Sequence, residues 1–312
     1  MTEPRLIALD WGSTRLRGWL IGPGGAGGTV LAERSSADGA SQITGGAAAF
    51  DAALQALAGD WLALKLPALA CGMVGSAHGW REAPYAGCPA DLSRLHTQRV
   101  RVDTAAGVPL HIVPGLIDDP VAGTPDVMRG EETQLVGLLA LQPALTGAAC
   151  VLMPGTHSKW VQLEQGRVTG FRTRMTGELY ALLRRHSVLG RLMPAADEGW
   201  HPDAFDAGVA AARGAEGRDL VSQLFAVRTL GLTHRWAAAA LPDYLSGLLI
   251  GHELTAGLPR EPMTLALVGE PDLCRRYGHA LRQFGAEPAC MADNTASAGL
   301  WQLAVLAGMV KP

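Results

Sequence analysis

The stretch LIALDWGSTRLRGWLI, Leu6 to Ile21, decides the fold. Two apolar, strand-like runs flank Asp10 and the small hydroxyl-bearing turn Gly12-Ser13-Thr14. These are ordinary turn residues, so a plain hairpin is one reading. A phosphate loop is the other, because a nucleotide's phosphates need backbone N–H groups nearby and small side chains that do not block the approach. In that reading Asp10 holds magnesium through water, the usual mode for an ion that dehydrates reluctantly.

A second stretch decides between the two. CVLMPGTHSKWVQLE starts at Cys150, about 140 residues later, and again reads strand, Gly-hydroxyl loop, strand. Gly155, Thr156 and Ser158 repeat the roles open to Gly12, Ser13 and Thr14. Either loop alone suits a hairpin; two loops in equivalent places favour a pair of phosphate sites. His157 reads as a hydrogen-bonding loop residue rather than a base. Lys159 either neutralises phosphate or faces solvent.

The rest of the chain supplies the frame. Residues 47–64 (AAAFDAALQALAGDWLAL) have helical periodicity and lead into LPALACGMVGS (66–76), a buried strand and glycine-rich loop. Strand, helix and strand in that order predict a parallel crossover. VPGLIDDPVAGTPDVMRG (113–130) is rich in proline, glycine and aspartate and predicts a boundary before the helix EETQLVGLLALQ (131–142). A helical region from about Glu178 to Leu258 follows. Then come the strand MTLALVG, the helix PDLCRRYGHALRQFG and the apolar helix NTASAGLWQLAVLAG (294–308).

Composition narrows the function classes. The chain has 312 residues, 48% apolar and 18% charged, with a net charge of -3, so nothing attracts a nucleic acid generally. Its apolar runs fall short of the roughly 20 residues of a membrane helix. Five scattered cysteines without a CxxC pair, and no basic-then-apolar leader, predict a reduced cytoplasmic protein. No zinc-ligand spacing, P-loop or nucleophile elbow occurs.

With these residues in place, Asp10 to Thr14 resembles the first phosphate motif of the sugar kinase, Hsp70 and actin superfamily, and Pro154 to Ser158 the second. LALVGEPDL (265–273) is similar to its adenosine motif, which implies base contacts at Gly269 and Glu270. LDWGSTRLRGWL, CGMVGSAHGWREAPY, MRGEETQLVG and MPGTHSKWV, in this order, resemble the 2-dehydro-3-deoxygalactonokinase family. The resemblance implies an α/β fold of two actin-like (ribonuclease H-like) domains with an ATP cleft between them. Their expected extents are residues 1–125, completed by the helix 295–312, and 126–294. It also implies transfer of phosphate from ATP, with Mg2+, to the terminal hydroxyl of 2-dehydro-3-deoxy-D-galactonate. A phosphohydrolase of the same superfamily and a non-catalytic actin-like ATP-binding protein are the alternatives. Pro154 stands where many members carry an acid, which argues against a second magnesium carboxylate.

Glu131 and Glu132 open a helix, where acidic side chains suit the dipole. Likeness to the superfamily's GEE-type segment implies that one of them is the base, with Asp10 as rival. Glu131 shares a helix face with Leu135 and Leu138, which favours it slightly. A sugar-acid pocket needs a cation and hydroxyl partners. Gly75, Ser76, His78, Trp80, Arg81 and Tyr85 have that inventory, with Arg129, Arg172 and Arg174 as further carboxylate candidates. The expected partner is this small molecule, with no nucleic acid and no membrane; the oligomeric state stays open, and a homodimer is compatible with it.

Overall fold

Strand β1 (Leu6–Trp11) is buried along its whole length, so each of its faces meets packed structure. Ile7, Leu9 and Trp11 point one way, into a core shared with Phe50, Leu54 and Trp61 of helix α1 (Ala47–Leu62). Alternation turns Leu6, Ala8 and Asp10 the other way. That two-residue period brings one carboxylate into an otherwise apolar strand.

The computed structural model describes residues 2–196, 198–214 and 219–312. They divide into two units: residues 1–149, 161–171 and 294–312, and residues 150–160 and 172–293. In the first, β1 pairs antiparallel with β2 (Leu16–Gly22), which pairs with β3 (Thr29–Ser36). β1 also pairs in parallel with β4 (Ala68–Gly72), so the predicted hairpin and crossover are both present. Next come β5 (Tyr85–Gly87), β6 (Ala90–Asp91), β7 (Val100–Asp103), β8 (Pro109–Ile112), β9 (Gly115–Asp118) and β10 (Asp126–Met128). The main sheet runs β3-β2-β1-β4-β8-β7, and β10-β9-β5 form a small sheet of their own.

Helix α2 (Glu131–Leu141) then packs against the chain's last helix, α8 (Ala296–Leu306). The crossing is backbone to backbone. A Cβ at Gly137 would lie 2.1 Å from the Thr295 carbonyl oxygen, and one at Gly299 would lie 1.9 Å from that of Thr133. α2 therefore belongs to the first unit, and the boundary expected at residue 125 falls instead near 149. The proline-rich segment before α2 is a surface excursion rather than a linker. Gly299→Ala should force the helices apart and cost about 3 kcal/mol or more, the upper end of overpacking. Urea unfolding against the wild type measures this; an unchanged midpoint would show that the crossing relaxes freely.

The second unit repeats the plan. β11 (Ala148–Met153), β12 (Ser158–Glu164) and β13 (Arg167–Arg174) follow one another, and β14 (Thr264–Val268) and β15 (Cys290–Ala292) pair in parallel. The strand order β13-β12-β11-β14 has the same form as β3-β2-β1-β4. α3 (Thr176–His186), α4 (Pro202–Arg213), α5 (Leu220–Leu232) and α6 (Leu241–Gly257) make up the long helical region. α7 (Pro271–Gln283) starts at Pro271, a residue whose fixed φ and missing N–H suit a first turn. α4 and α6 also cross through glycine, Gly208 and Gly247 each facing a backbone carbonyl of the other helix. No helix among the described residues is long and apolar enough to cross a membrane.

Candidate active site

The register of β1 on β4 sets Asp10 beside Cys71, and its register on β2 sets Asp10 opposite Arg17. Arg17 Nη2 donates to Asp10 Oδ2 at 2.7 Å, Asn294 Nδ2 approaches the same oxygen at 3.5 Å, and the Cys71 thiol reaches Oδ1 at 3.9 Å. Burial, then the Asp10 and Glu132 carboxyls, hold that thiol well above its usual range, so it stays a donor. Two glycines pack close beside Asp10. Gly72 (φ 90°) has room for no side chain: a Cβ would sit 2.7 Å from the Trp11 carbonyl oxygen and 3.4 Å from Asp10 Oδ1. Gly130 (φ 110°) faces Gly72 in turn and caps α2.

The first loop is a closed turn. Gly12 N–H donates to the Arg15 carbonyl at 3.0 Å, and the Gly12 and Ser13 carbonyls accept from Ala40 and Ser41. Ser13 and Thr14 are exposed at its tip, and a Cβ on Gly12 would touch only the Arg15 carbonyl, at 3.5 Å.

The two helix-start glutamates part company. Glu131 is half-buried and accepts from the Arg129 N–H at 3.1 Å. Glu132 is fully buried, accepting from the Gly130 N–H at 2.6 Å and the Thr133 hydroxyl at 2.9 Å. Burial, with the neighbouring Glu131 charge second, raises its carboxyl to about 8. With no solvent-accessible surface and both oxygens bonded, Glu132 is the enclosed one of the two candidate bases, and Glu131 is the one that reaches the surface.

This shift fixes the sign of a pH effect. The unfolded chain loses the Glu132 proton near 4.5, whereas the native state keeps it to about 8. Between those values the native state binds more protons, so stability falls as pH rises, by a few kcal/mol in all. E132Q should match the wild type near pH 4.5 and exceed it above pH 8, with urea midpoints at several pH values as the measurement.

In the second unit, Pro154 to His157 bridge β11 and β12. A Cβ on Gly177 would lie 2.4 Å from the Gly155 carbonyl oxygen, Glu178 N–H donates to the Thr156 carbonyl at 2.9 Å, and His157 Nε2 bonds Glu178 Oε2 at 2.5 Å. His157, a phosphate-contact candidate of this loop, is exposed and has its ring on Glu178. Thr156 is exposed and Gly155 has open space at its Cβ position. Ser158 departs from expectation: it is fully buried in β12, its hydroxyl 3.2 Å from that of Tyr277, so its side chain does not face a phosphate. Tyr277 donates to Glu253 at 2.6 Å, and Trp160 Nε1 to the other Glu253 oxygen at 2.8 Å. Lys159 is buried with Nζ on Thr173 rather than in solvent. Arg172 is exposed, and Arg174 binds the Ala256 carbonyl.

Beside that loop lies a cavity of about 240 Å³ lined by Gly155, Gly177, Tyr180, Ser246, Leu273 and Tyr277 among others. This is below the roughly 300–1,000 Å³ of a site that takes a whole drug-sized ligand, so it suits one part of a nucleotide. Gly269 sits under the loop, where a Cβ would lie 3.1 Å from the Pro154 carbonyl oxygen. The Glu270 side chain caps α7 by accepting from Leu273 N–H at 3.0 Å, so of this motif Leu273, not Glu270, lines the cavity.

The sugar-pocket candidates also sort themselves. Gly75 is buried at the end of a short 3-10 turn, with Ser76 half-buried after it, while His78, Arg81 and Tyr85 are exposed. Trp80 is drawn into the Trp11 and Phe50 ring cluster instead. Arg129 is buried, with Nη2 on the Ala83 carbonyl at 2.8 Å and its guanidinium over the Tyr85 ring at 4.3 Å. Sequence reasoning missed Arg17, Cys71, Thr133 and Asn294. Arg17 is countable once the turn length is known; Asn294 carries no local signal.

A duplicated α/β fold, a glycine-hydroxyl loop in each unit and an acidic, glycine-capped helix start define the actin-like ATPase and sugar-kinase class. The profile of the 2-keto-3-deoxy-galactonokinase family matches residues 10–303, and the chain belongs to that family. It is 38% identical over 306 residues to the 2-dehydro-3-deoxygalactonokinase of Escherichia coli K12, covering 96% of this chain and 97% of that protein. The crystal structure of a Sinorhizobium meliloti protein described by the same activity is similar with a TM-score of 0.84 at 37% identity, over 96% of this chain and 98% of that one. Component A of (R)-2-hydroxyglutaryl-CoA dehydratase from Acidaminococcus fermentans shares the fold alone, at TM-score 0.50 and 13% identity over 99% of this chain and all of that one. The hydrolase and non-catalytic alternatives gain nothing from the family and the relatives at 37–38% identity.

Proposed function

We propose that the protein transfers the terminal phosphoryl group of ATP to the 6-hydroxyl of 2-dehydro-3-deoxy-D-galactonate, a step of galactonate catabolism in the cytoplasm. The observation that carries this is the family match over residues 10–303, with Asp10 on β1 and the half-buried Glu131 at the start of α2 both in the first unit. Glu131 accepts the hydroxyl proton as the sugar oxygen attacks, the usual protein contribution to phosphoryl transfer.

Magnesium fits Asp10. One carboxylate, with no side chain at Gly72 to stand against its Oδ1, suits an ion held largely through water. When bound, it neutralises charge on the phosphates. Arg17 and Asn294 hold the Asp10 carboxylate in place for it. Gly12, Ser13 and Thr14 of the first unit offer backbone and hydroxyl donors suited to phosphate, and in the second unit Gly155 and Thr156 offer donors of the same kind. The base takes the cavity beside Gly155, Leu273 and Tyr180. His78, Arg81 and Tyr85, with Gly75 and Ser76, belong to the sugar-acid side.

Coupled ADP release tests this. It should rise with 2-dehydro-3-deoxygalactonate and stay near zero with water as the only acceptor. ATP turnover indifferent to any 2-oxo-3-deoxy sugar acid would defeat the reading, and the gluconate epimer in the same assay reports stereochemical preference.

A further inference from the structure

Arg129 is the least satisfied cation among the described residues of the first unit. It is 9% exposed, yet its Nε and Nη1 are buried without a hydrogen-bond partner, and no ion pair neutralises it among the described residues. Only Nη2 is used, on a backbone carbonyl. Buried guanidinium groups are normally paired with an acid, because an unpaired charge away from water is costly. The surroundings are arranged to receive one. Position 75 is glycine, and a Cβ there would stand 3.1 Å from Nη1, so only the absence of a side chain lets the chain pass this close to that nitrogen. Tyr85 lies over the guanidinium from the short strand β5 and is itself 38% exposed, so the guanidinium lies beneath a ring that reaches solvent. Glu131, two residues along, bonds the Arg129 backbone N–H, so the anchor and the base are tied to one short segment.

Resting on the kinase reading above, we propose that Arg129 anchors the C1 carboxylate of the sugar acid through Nη1, on the side where Gly75 adds no side chain. Arg129 is thereby a binding residue that selects 2-oxo sugar acids over neutral sugars. Its partner arrives only with substrate, which is why the donors stand unpaired within the chain.

The test compares the sugar acid with its C1 carboxamide, neutral but of nearly the same shape, by turnover and by titration calorimetry. Wild-type protein should prefer the acid by roughly 100-fold or more in kcat/KM, the scale of losing one partner of a buried charge pair. R129Q should lose that preference through a raised KM for the acid, with amide turnover and the KM for ATP little changed. R129K should recover part of it, and Gly75→Ala should weaken acid more than amide; both guard against a misfolded R129Q. Equal loss on acid and amide, or an unaltered preference, overturns the proposal. Wild-type protein that turns over the amide as well as the acid overturns it too. Absence of any turnover with the acid would instead strike the kinase reading itself.

Discussion

Asp10→Asn removes phosphoryl transfer and leaves the protein folded. The substitution is isosteric, so β1 keeps its place between β2 and β4, and the oxygen that remains still accepts from the Cys71 thiol. What goes is the charge. Arg17 loses its ion-pair partner, but its side chain is 35% exposed and can turn to water, so the stability cost is about 1 kcal/mol. Activity has no such refuge, because fixed groups that stabilise developing charge usually contribute more to catalysis than any other single effect. A fall in kcat of about 1,000-fold or more is expected. Coupled ADP release, a thermal melt and manganese affinity by electron paramagnetic resonance separate the three effects. A folded D10N protein with ordinary turnover would reduce the loop at Gly12 to a plain hairpin.

Glu131→Gln should lower kcat by roughly 100- to 10,000-fold, the range for losing a general base. Glutamine can still accept from the Arg129 N–H, so helix start and substrate affinity stay close to normal, and KM moves little. E132Q on the same helix should keep most of its turnover. The contrast between adjacent glutamates is the sharp part: equal losses in both would mean that the helix start, and not one carboxylate, is what matters.

The hairpin at Leu6, the crossover to Ala68 and the repeat at Cys150 are legible in the sequence because strand alternation, helical period and small-residue turns are local properties. The strands β5 to β10 are not, since segments of two to four residues show no period and read as connecting loop. Nor can the sequence separate Glu131 from Glu132. Neighbours on a helix point about 100° apart, and which one is buried is decided by α8, more than 150 residues away, whose Gly299 meets the Thr133 carbonyl. Ser158 departs from its expected role for the same reason, as its partner Tyr277 comes from α7.

That crossing of α2 and α8 also sets an order of events during synthesis. Asp10 leaves the ribosome early, but Asn294, which approaches it, follows more than 280 residues later, and Gly299 follows Thr133, whose carbonyl it meets, by more than 160. The first unit therefore cannot mature as its residues emerge; its earlier segments must wait, partly open, for residues 294–306. Contacts of such long sequence separation form slowly. A chain truncated before residue 294 should have a second unit that resists protease while its β1 and α2 do not.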